Sequence, residues 1–167
     1  MADQNCSGIN FCLRRKGAAQ MEYNHSKHAV WKCTYHLVFV TKFRKPVISH
    51  EIGDFMKGEI ARLAKGLGGE LLSAETDRDH LHLLVSLPPD VKVSSAVISF
   101  KTQMSKLVHQ NEEFMQHVRK YHKGKCPFWT KSYFVATTGS VSMETVKEYI
   151  ESQRTEEHQR KYAKRNR

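Results

Sequence analysis

The stretch Trp31–Phe43 alternates in side-chain character with a period of two, which is typical of a β-strand buried on one face. One predicted face is apolar and aromatic, and the other is more polar. The apolar face carries Trp31, Cys33, Tyr35, Leu37, Phe39 and Phe43. The more polar face carries Lys32, Thr34, His36, Val38, Val40 and Lys42. Because an apolar strand face must be covered by a second layer, this strand predicts a sheet packed against helices.

Other segments with a regular spacing of apolar residues predict those helices and the remaining strands. Apolar residues recur at helical spacing in two segments, and Ser142 is suited to cap a final helix. Lys101 and Lys106 are expected to point outward from the second helix. The predicted elements are helix Ser49–Leu67, strands Glu70–Thr76 and His80–Leu87, helix Ser94–His109, a strand around Tyr133–Ala136 and a helix from Ser142 to about Arg160.

This order of elements predicts an α+β fold of the ferredoxin-like or RNA-recognition-like type. It has an antiparallel sheet, helices on one face and a C-terminal helix that bears a tyrosine. A chain of 167 residues suits one such domain with short extensions. We interpret residues 1–26 as a flexible N-terminal extension, 27–159 as the domain and 160–167 as a basic tail. Met21 is an alternative start of translation.

The charge balance favours a polyanionic partner. Lys and Arg number 27 against 17 Asp and Glu, which gives a formal net charge of +10 at pH 7. Nucleic acid is the usual partner of so basic a surface. Basic residues cluster at Lys42–Lys45 and again at Arg119–Lys125, and both clusters contain aromatic residues on which bases can stack. The candidate DNA contacts are Lys42, Arg44, Lys45, Arg119, Lys120 and Lys123.

The sequence gives no indication of a membrane partner. No apolar run approaches the roughly 18 residues of a membrane-spanning helix. The four cysteines are spaced irregularly, and none has the C-x-x-C spacing of a zinc knuckle or redox motif. We therefore interpret them as reduced thiols. These features predict a cytoplasmic protein, associated with the nucleoid when it is bound to DNA.

Two histidines on one predicted strand are the strongest chemical signal. Side chains two residues apart on a strand point to the same face, so His80 and His82 project together while Leu81 and Leu83 fill the other face. Two adjacent imidazoles form half of a divalent-metal site. The alternative is a pair of surface histidines without a metal.

A second candidate pair lies on the predicted final helix. Tyr149 and Gln153 are four residues apart and therefore share a helix face. Gln153 offers a neutral oxygen ligand, and Tyr149 offers a phenolic oxygen that can attack phosphorus. The alternative is that Tyr149 packs in the core beside Val146 and Ile150.

Four segments, taken in order, extend these observations. They are Trp31–Phe39, Asp79–Ser86, Phe128–Trp129 together with Ser132–Phe134, and Val146–Gln153. Over roughly Lys27–Gln159 the chain resembles the single-tyrosine HUH transposases, the TnpA-type enzymes of the insertion-sequence 200/605 group. The long N-terminal arm departs from the compact start that is usual in that family.

The resemblance implies a role for each candidate residue. His80, His82 and Gln153 correspond to the metal ligands, with Mg²⁺ the expected ion and Mn²⁺ a substitute, and Tyr149 corresponds to the nucleophile. It also implies a homodimer whose active sites combine the tyrosine helix of one subunit with the histidines of the other. The implied substrate is single-stranded DNA with a hairpin near the end of a mobile element.

Three alternatives remain open from the sequence. The first is a REP-associated tyrosine transposase that acts on chromosomal palindromes. The second is a non-catalytic module that binds RNA or single strands, although such sheets usually display paired aromatic residues where this chain has His80 and His82. The third is a metal-dependent hydrolase, for which Asp79 would be the acidic base.

Overall fold

The computed structural model of this protein describes residues 23–122, 124 and 127–138. These residues form six strands, three α-helices and one 3₁₀ turn. The elements in chain order are β1 Asn24–His25, β2 Val30–Trp31, β3 Thr34–Val40, the 3₁₀ turn Lys42–Arg44, α1 His50–Gly66, β4 Glu70–Thr76, β5 His80–Ser86, α2 Val93–Gln110, α3 Glu112–Arg119 and β6 Phe134–Thr137.

The main sheet has four antiparallel strands in the order β4-β5-β3-β6. Its inner face supplies buried Leu37 and Phe39 from β3 and Leu81, Leu83 and Val85 from β5 to a core completed by the helices. Burying one such aliphatic or aromatic side chain contributes about 1.5–3 kcal/mol. The predicted α+β fold is therefore confirmed for the described residues, whereas the predicted C-terminal helix lies outside them.

The helix α1 shows why these boundaries follow from sequence. Ser49 caps it, because its hydroxyl oxygen accepts a hydrogen bond from the Ile52 N–H at 3.3 Å. Buried Ile52, Met56 and Ile60 recur every four residues and turn one stripe of the helix toward the sheet. The predictions for α1, β4, β5 and α2 agree with the structure to within one residue at either end.

The prediction of one long strand over Trp31–Phe43 is wrong at both ends. β3 covers only Thr34–Val40, and the chain then turns through Lys42–Arg44, where Phe43 has a φ of 59° and Arg44 a φ of 52°. Phe43 was predicted to face the core and is instead 69% exposed. The last backbone bonds before this turn run from the Thr41 N–H to the Asp79 carbonyl and from the Lys42 N–H to that of Phe128, and pairing ends where Phe43 and Arg44 leave the extended conformation.

Two further elements escaped prediction. No element was predicted before Trp31, and this part of the chain contains most of the short β1–β2 hairpin. No helix was predicted between His109 and Tyr133, and this segment contains α3, which Asn111 caps by accepting a hydrogen bond from the Phe114 N–H at 3.1 Å.

Lys101 corrects the prediction that it points outward from α2. Its ammonium donates to the carbonyls of Thr130 at 2.6 Å and Ser132 at 3.0 Å, just before β6. It also lies 5.8 Å from the centre of the buried Phe39 ring. Burial lowers the pKa of Lys101 from its ordinary value. This lysine thus ties the segment leading into the edge strand β6 to helix α2.

Candidate functional site

The two predicted metal histidines lie together on the sheet face opposite the helices. Strand β5 places Leu81 and Leu83 in the core, so His80 and His82 emerge on the other side. In the strand register, His82 stands between Glu75 of β4 and Val38 of β3. The ring centres of His80 and His82 are 5.0 Å apart and the rings meet edge to face. His82 is only 7% exposed, so the pair is recessed.

A buried carboxylate holds His80. The Nδ1 atom of His80 lies 2.6 Å from a carboxylate oxygen of Asp79, and Asp79 has no exposed surface. The other carboxylate oxygen of Asp79 lies 3.6 Å from the guanidinium of Arg44. A carboxylate can only accept, so the ionised group fixes the imidazole proton on Nδ1. The sequence hypothesis gave Asp79 only as the base of a hydrolase.

A third histidine, which the sequence analysis did not single out, holds His82. The Nε2 atom of His36 on β3 lies 3.0 Å from the Nδ1 atom of His82. Their rings stack with centres 5.3 Å apart, and Phe134 of β6 meets the ring of His36 edge on. Burial lowers the pKa of His36, which favours its neutral form. The available signal was the position of His36 on the polar face of its strand.

The turn Lys42–Arg44 and the following Lys45 place three predicted DNA contacts at the same end of the sheet as His80. Phe43 and Arg44 adopt left-handed backbone conformations, which cost a non-glycine residue about 1–2 kcal/mol each. Buried Thr41 stabilises the turn, because its hydroxyl donates to the Lys45 carbonyl at 2.7 Å. The turn directs Arg44 to Asp79 and leaves the aromatic ring of Phe43 in solvent, with the ammonium of Lys42 above it at 4.8 Å.

The second predicted basic cluster lies near this turn. Arg119 and Lys120 are exposed at the end of α3, where Arg119 pairs with Glu112. The next residues include buried His122, whose pKa is lowered by burial and by nearby Lys45. A groove of about 1160 Å³ runs between α2, α3 and the segment before β6. Its lining includes the basic and aromatic residues Lys101, Lys106, Arg119, Trp129, Lys131 and Tyr133.

The donors around His80 suit a divalent cation. Asp77, Asp79 and His80 present ligand-type atoms within 4.8 Å of one another. Asp79 already engages Nδ1 of His80, which leaves Nε2 as the nitrogen of that ring suited to a metal. Nitrogen and oxygen donors in such a group can hold a divalent cation.

Three predicted site residues fall outside the described part of the chain. They are Tyr149, Gln153 and Lys123. Their placement relative to His80 and His82 stays a prediction.

Comparison with known proteins identifies the family. Residues 29–153 match the family described as IS200-like transposases. The chain belongs to this family. Like its relatives, this IS200-like transposase is thus an enzyme that acts on DNA. It is 30% identical over 130 residues to the transposase for insertion sequence element IS200 of Salmonella typhimurium, which covers 78% of this chain and 82% of that protein. It is 27% identical over 137 residues to the ISDra2 transposase TnpA of Deinococcus radiodurans, which covers 82% and 95%.

Solved structures agree with the fold of this IS200-like transposase. A crystal structure of a candidate transposase from Deinococcus radiodurans superposes with a TM-score of 0.60 at 28% identity, over 78% of this chain and 97% of that chain. A REP-associated tyrosine transposase bound to a REP hairpin shares the fold, with a TM-score of 0.50 at 12% identity over 76% and 68% of the two chains. Among the described residues, no helix combines the length and apolar character needed to cross a bilayer.

Proposed function

We propose that this transposase cleaves and rejoins single-stranded DNA at the ends of a mobile element, with Tyr149 as the nucleophile. The observation that carries the proposal is the recessed His80–His82 pair, whose Nδ1 atoms are both engaged, so that both Nε2 atoms are suited to bind a metal. His80, His82 and Gln153 would hold Mg²⁺, for which Mn²⁺ can substitute. The bound ion would polarise the scissile phosphate and orient it.

The chemistry of Tyr149 accounts for rejoining. Its phenolic oxygen attacks phosphorus, forms a new P–O bond and loses its proton. The bond from phosphorus to the 3′ oxygen breaks, and that oxygen leaves as a free 3′-OH. The 5′-phosphotyrosine link retains the energy of the phosphodiester, so a 3′-OH of another strand can reverse the step without ATP. A water-using hydrolase would lack this return path.

The experiment for this function is a covalent-adduct assay. The protein is mixed with 5′-labelled and 3′-labelled single strands from the ends of its element, with Mg²⁺ or Mn²⁺, and separated on a denaturing gel. A protein-linked fragment that carries the 3′ label and requires metal supports the proposal. A released 5′-phosphate without an adduct would indicate a hydrolase, and binding without cleavage would indicate a binding module.

The relatives bear on which DNA is used. A REP-associated transposase that acts on chromosomal palindromes is the second candidate. Identity to the IS200 transposase over most of both chains favours element ends, because the likeness to the REP-associated enzyme is one of fold alone. Competition between the two kinds of hairpin in the adduct assay distinguishes these candidates.

The basic residues near the site would bind the DNA backbone. Lys42, Arg44 and Lys45 lie at the end of the sheet that carries His80, and Arg119, Lys120 and Lys123 would extend the contact. The exposed ring of Phe43 offers a surface on which a base can stack.

Lys42→Ala is expected to weaken binding of single-stranded DNA. Removing one phosphate contact should make the slope of log K against log salt concentration less negative by about 0.7. The measurement is fluorescence anisotropy at several salt concentrations. Lys65→Ala is the matched control, because exposed Lys65 ends α1 at the opposite end of the sheet. An unchanged slope for Lys42→Ala would remove Lys42 from the interface.

We also propose a homodimer in which the tyrosine helix of one subunit completes the site of the other. Mixing Tyr149→Phe protein with His82→Ala protein tests this arrangement, since each is expected to be inactive alone. Random exchange of subunits would make half of the dimers mixed, and one of the two sites in each mixed dimer would have both an intact histidine pair and an intact tyrosine. Activity should then return to as much as about a quarter of the wild-type level. No recovery after demonstrated exchange would mean that each site forms within one subunit.

A further inference from the structure

We propose that His36 and Asp79 are positioning residues that fix His82 and His80 in the same tautomer, with the proton on Nδ1 and the lone pair on Nε2. The inference rests on the metal site of the proposed function and extends it to two residues outside the ligand set. It assigns each metal histidine its own hydrogen-bond partner, supplied by a different part of the fold.

The tautomer decides whether a histidine can bind a metal at a given nitrogen. A neutral imidazole has one proton, and only the other nitrogen has a lone pair for a ligand bond. A partner that accepts at Nδ1 therefore prepares Nε2 for the metal and also sets the plane of the ring. Without a partner, both tautomers and several ring orientations compete.

Asp79 acts on His80 in this way. The carboxylate oxygen lies 2.6 Å from Nδ1, and the side chain is completely buried. Arg44 lies beside the second oxygen at 3.6 Å, and a carboxylate paired in this way accepts from the imidazole N–H. The β4–β5 hairpin that carries Asp79 is anchored to the residue after β3, because the backbone carbonyl of Asp79 accepts from the Thr41 N–H at 2.8 Å.

His36 acts on His82 by a less common pairing of two imidazoles. The 3.0 Å contact joins Nε2 of His36 to Nδ1 of His82, so either ring can donate. A metal on Nε2 of His82 requires Nδ1 of that ring to carry the proton and to donate to His36. Phe134 against the ring of His36 and the stacking of His36 on His82 restrict rotation of the acceptor.

The first test reads the tautomers directly in the metal-free full-length protein. Long-range ¹H–¹⁵N correlation spectra of the imidazole rings distinguish protonated Nδ1 from protonated Nε2. We expect protonated Nδ1 at both His80 and His82 at a pH where the rings are neutral. A proton on Nε2 of either ring would overturn the inference for that ring.

The second test measures Mn²⁺ affinity by calorimetry. His36→Leu, which removes the acceptor, should weaken binding about 10–100-fold, the usual loss when an outer-shell partner is removed. His36→Gln, whose side-chain oxygen can accept from Nδ1, should recover most of it. Asp79→Leu, which likewise removes the acceptor, should weaken binding by about tenfold. Its matched control is Asp54→Leu, since Asp54 contacts exposed His50 at 2.8 Å in a similar carboxylate–imidazole pair on α1.

The outcomes separate this inference from the proposed function. Wild-type affinity in folded His36→Leu and Asp79→Leu would overturn the inference while leaving the metal site intact. If wild-type protein binds no Mn²⁺, the metal part of the proposed function fails, and the imidazole spectra still decide the tautomers. Circular dichroism identifies a variant that does not fold, and in that case the wild-type spectra and His36→Gln carry the decision.

Discussion

Tyr149→Phe is expected to lose covalent adduct and strand cleavage by at least about a thousandfold, equivalent to about 4 kcal/mol of transition-state stabilisation. The substitution removes one oxygen, which is the atom proposed to bond to phosphorus, and keeps the aromatic ring. Affinity for single-stranded DNA should stay within about twofold of wild type. The measurements are the adduct gel and fluorescence anisotropy on the same oligonucleotide.

The matched control for this variant is Tyr162→Phe, which changes the other tyrosine of the C-terminal segment. It should cleave as wild type does. Adduct formation by Tyr149→Phe would show that another residue is the nucleophile, and loss in Tyr162→Phe alone would assign the role to Tyr162. Loss of both cleavage and DNA binding in Tyr149→Phe would instead indicate a structural role in the core.

His82→Ala is expected to reduce cleavage by at least about a hundredfold, or roughly 3 kcal/mol, and to weaken Mn²⁺ binding by a similar factor. The variant loses one of two imidazole ligands and the partner of His36. Cleavage rates measured against Mn²⁺ concentration should show partial recovery at high metal, because His80 remains. His50→Ala is the control, since His50 is exposed on α1.

Two results would contradict this expectation. Wild-type cleavage by His82→Ala would exclude the histidine pair as the metal site. Loss of cleavage with unchanged Mn²⁺ affinity would assign His82 to contact with DNA. Thermal unfolding of the variant must be checked first, because His82 is nearly buried and its removal leaves space beside His36.

Local signals explain which parts of the fold could be predicted from the sequence. Helix α1 has a serine cap and apolar residues at every fourth position, and β5 alternates between histidine and leucine over His80–Leu83, so both can be predicted from residues near in the chain. The end of β3 is different. It is followed by the turn Lys42–Arg44, which is held by residues far along the chain, because the carbonyls of Asp79 and Phe128 accept from the N–H groups of Thr41 and Lys42.

The same distinction applies to the candidate site. That His80 and His82 share a face follows from the period of a strand, so the pair could be predicted. The contact between His36 and His82 depends on the register of β3 against β5, in which Val38 stands opposite His82. Strand alternation alone does not give that register, and therefore the histidine pair could be predicted from the sequence, whereas the contact of His82 with His36 could not.

The alternation of β5 also has a consequence for misfolding. Because successive side chains point to opposite faces, a slip of β5 by one residue would exchange its two faces. Leu81, Leu83 and Val85 would meet water while two imidazoles entered the apolar core. The burial of these aliphatic residues therefore selects the register of β5, because the misaligned chain is unstable. Only the selected register places the histidines on the outer face of the sheet, beside His36.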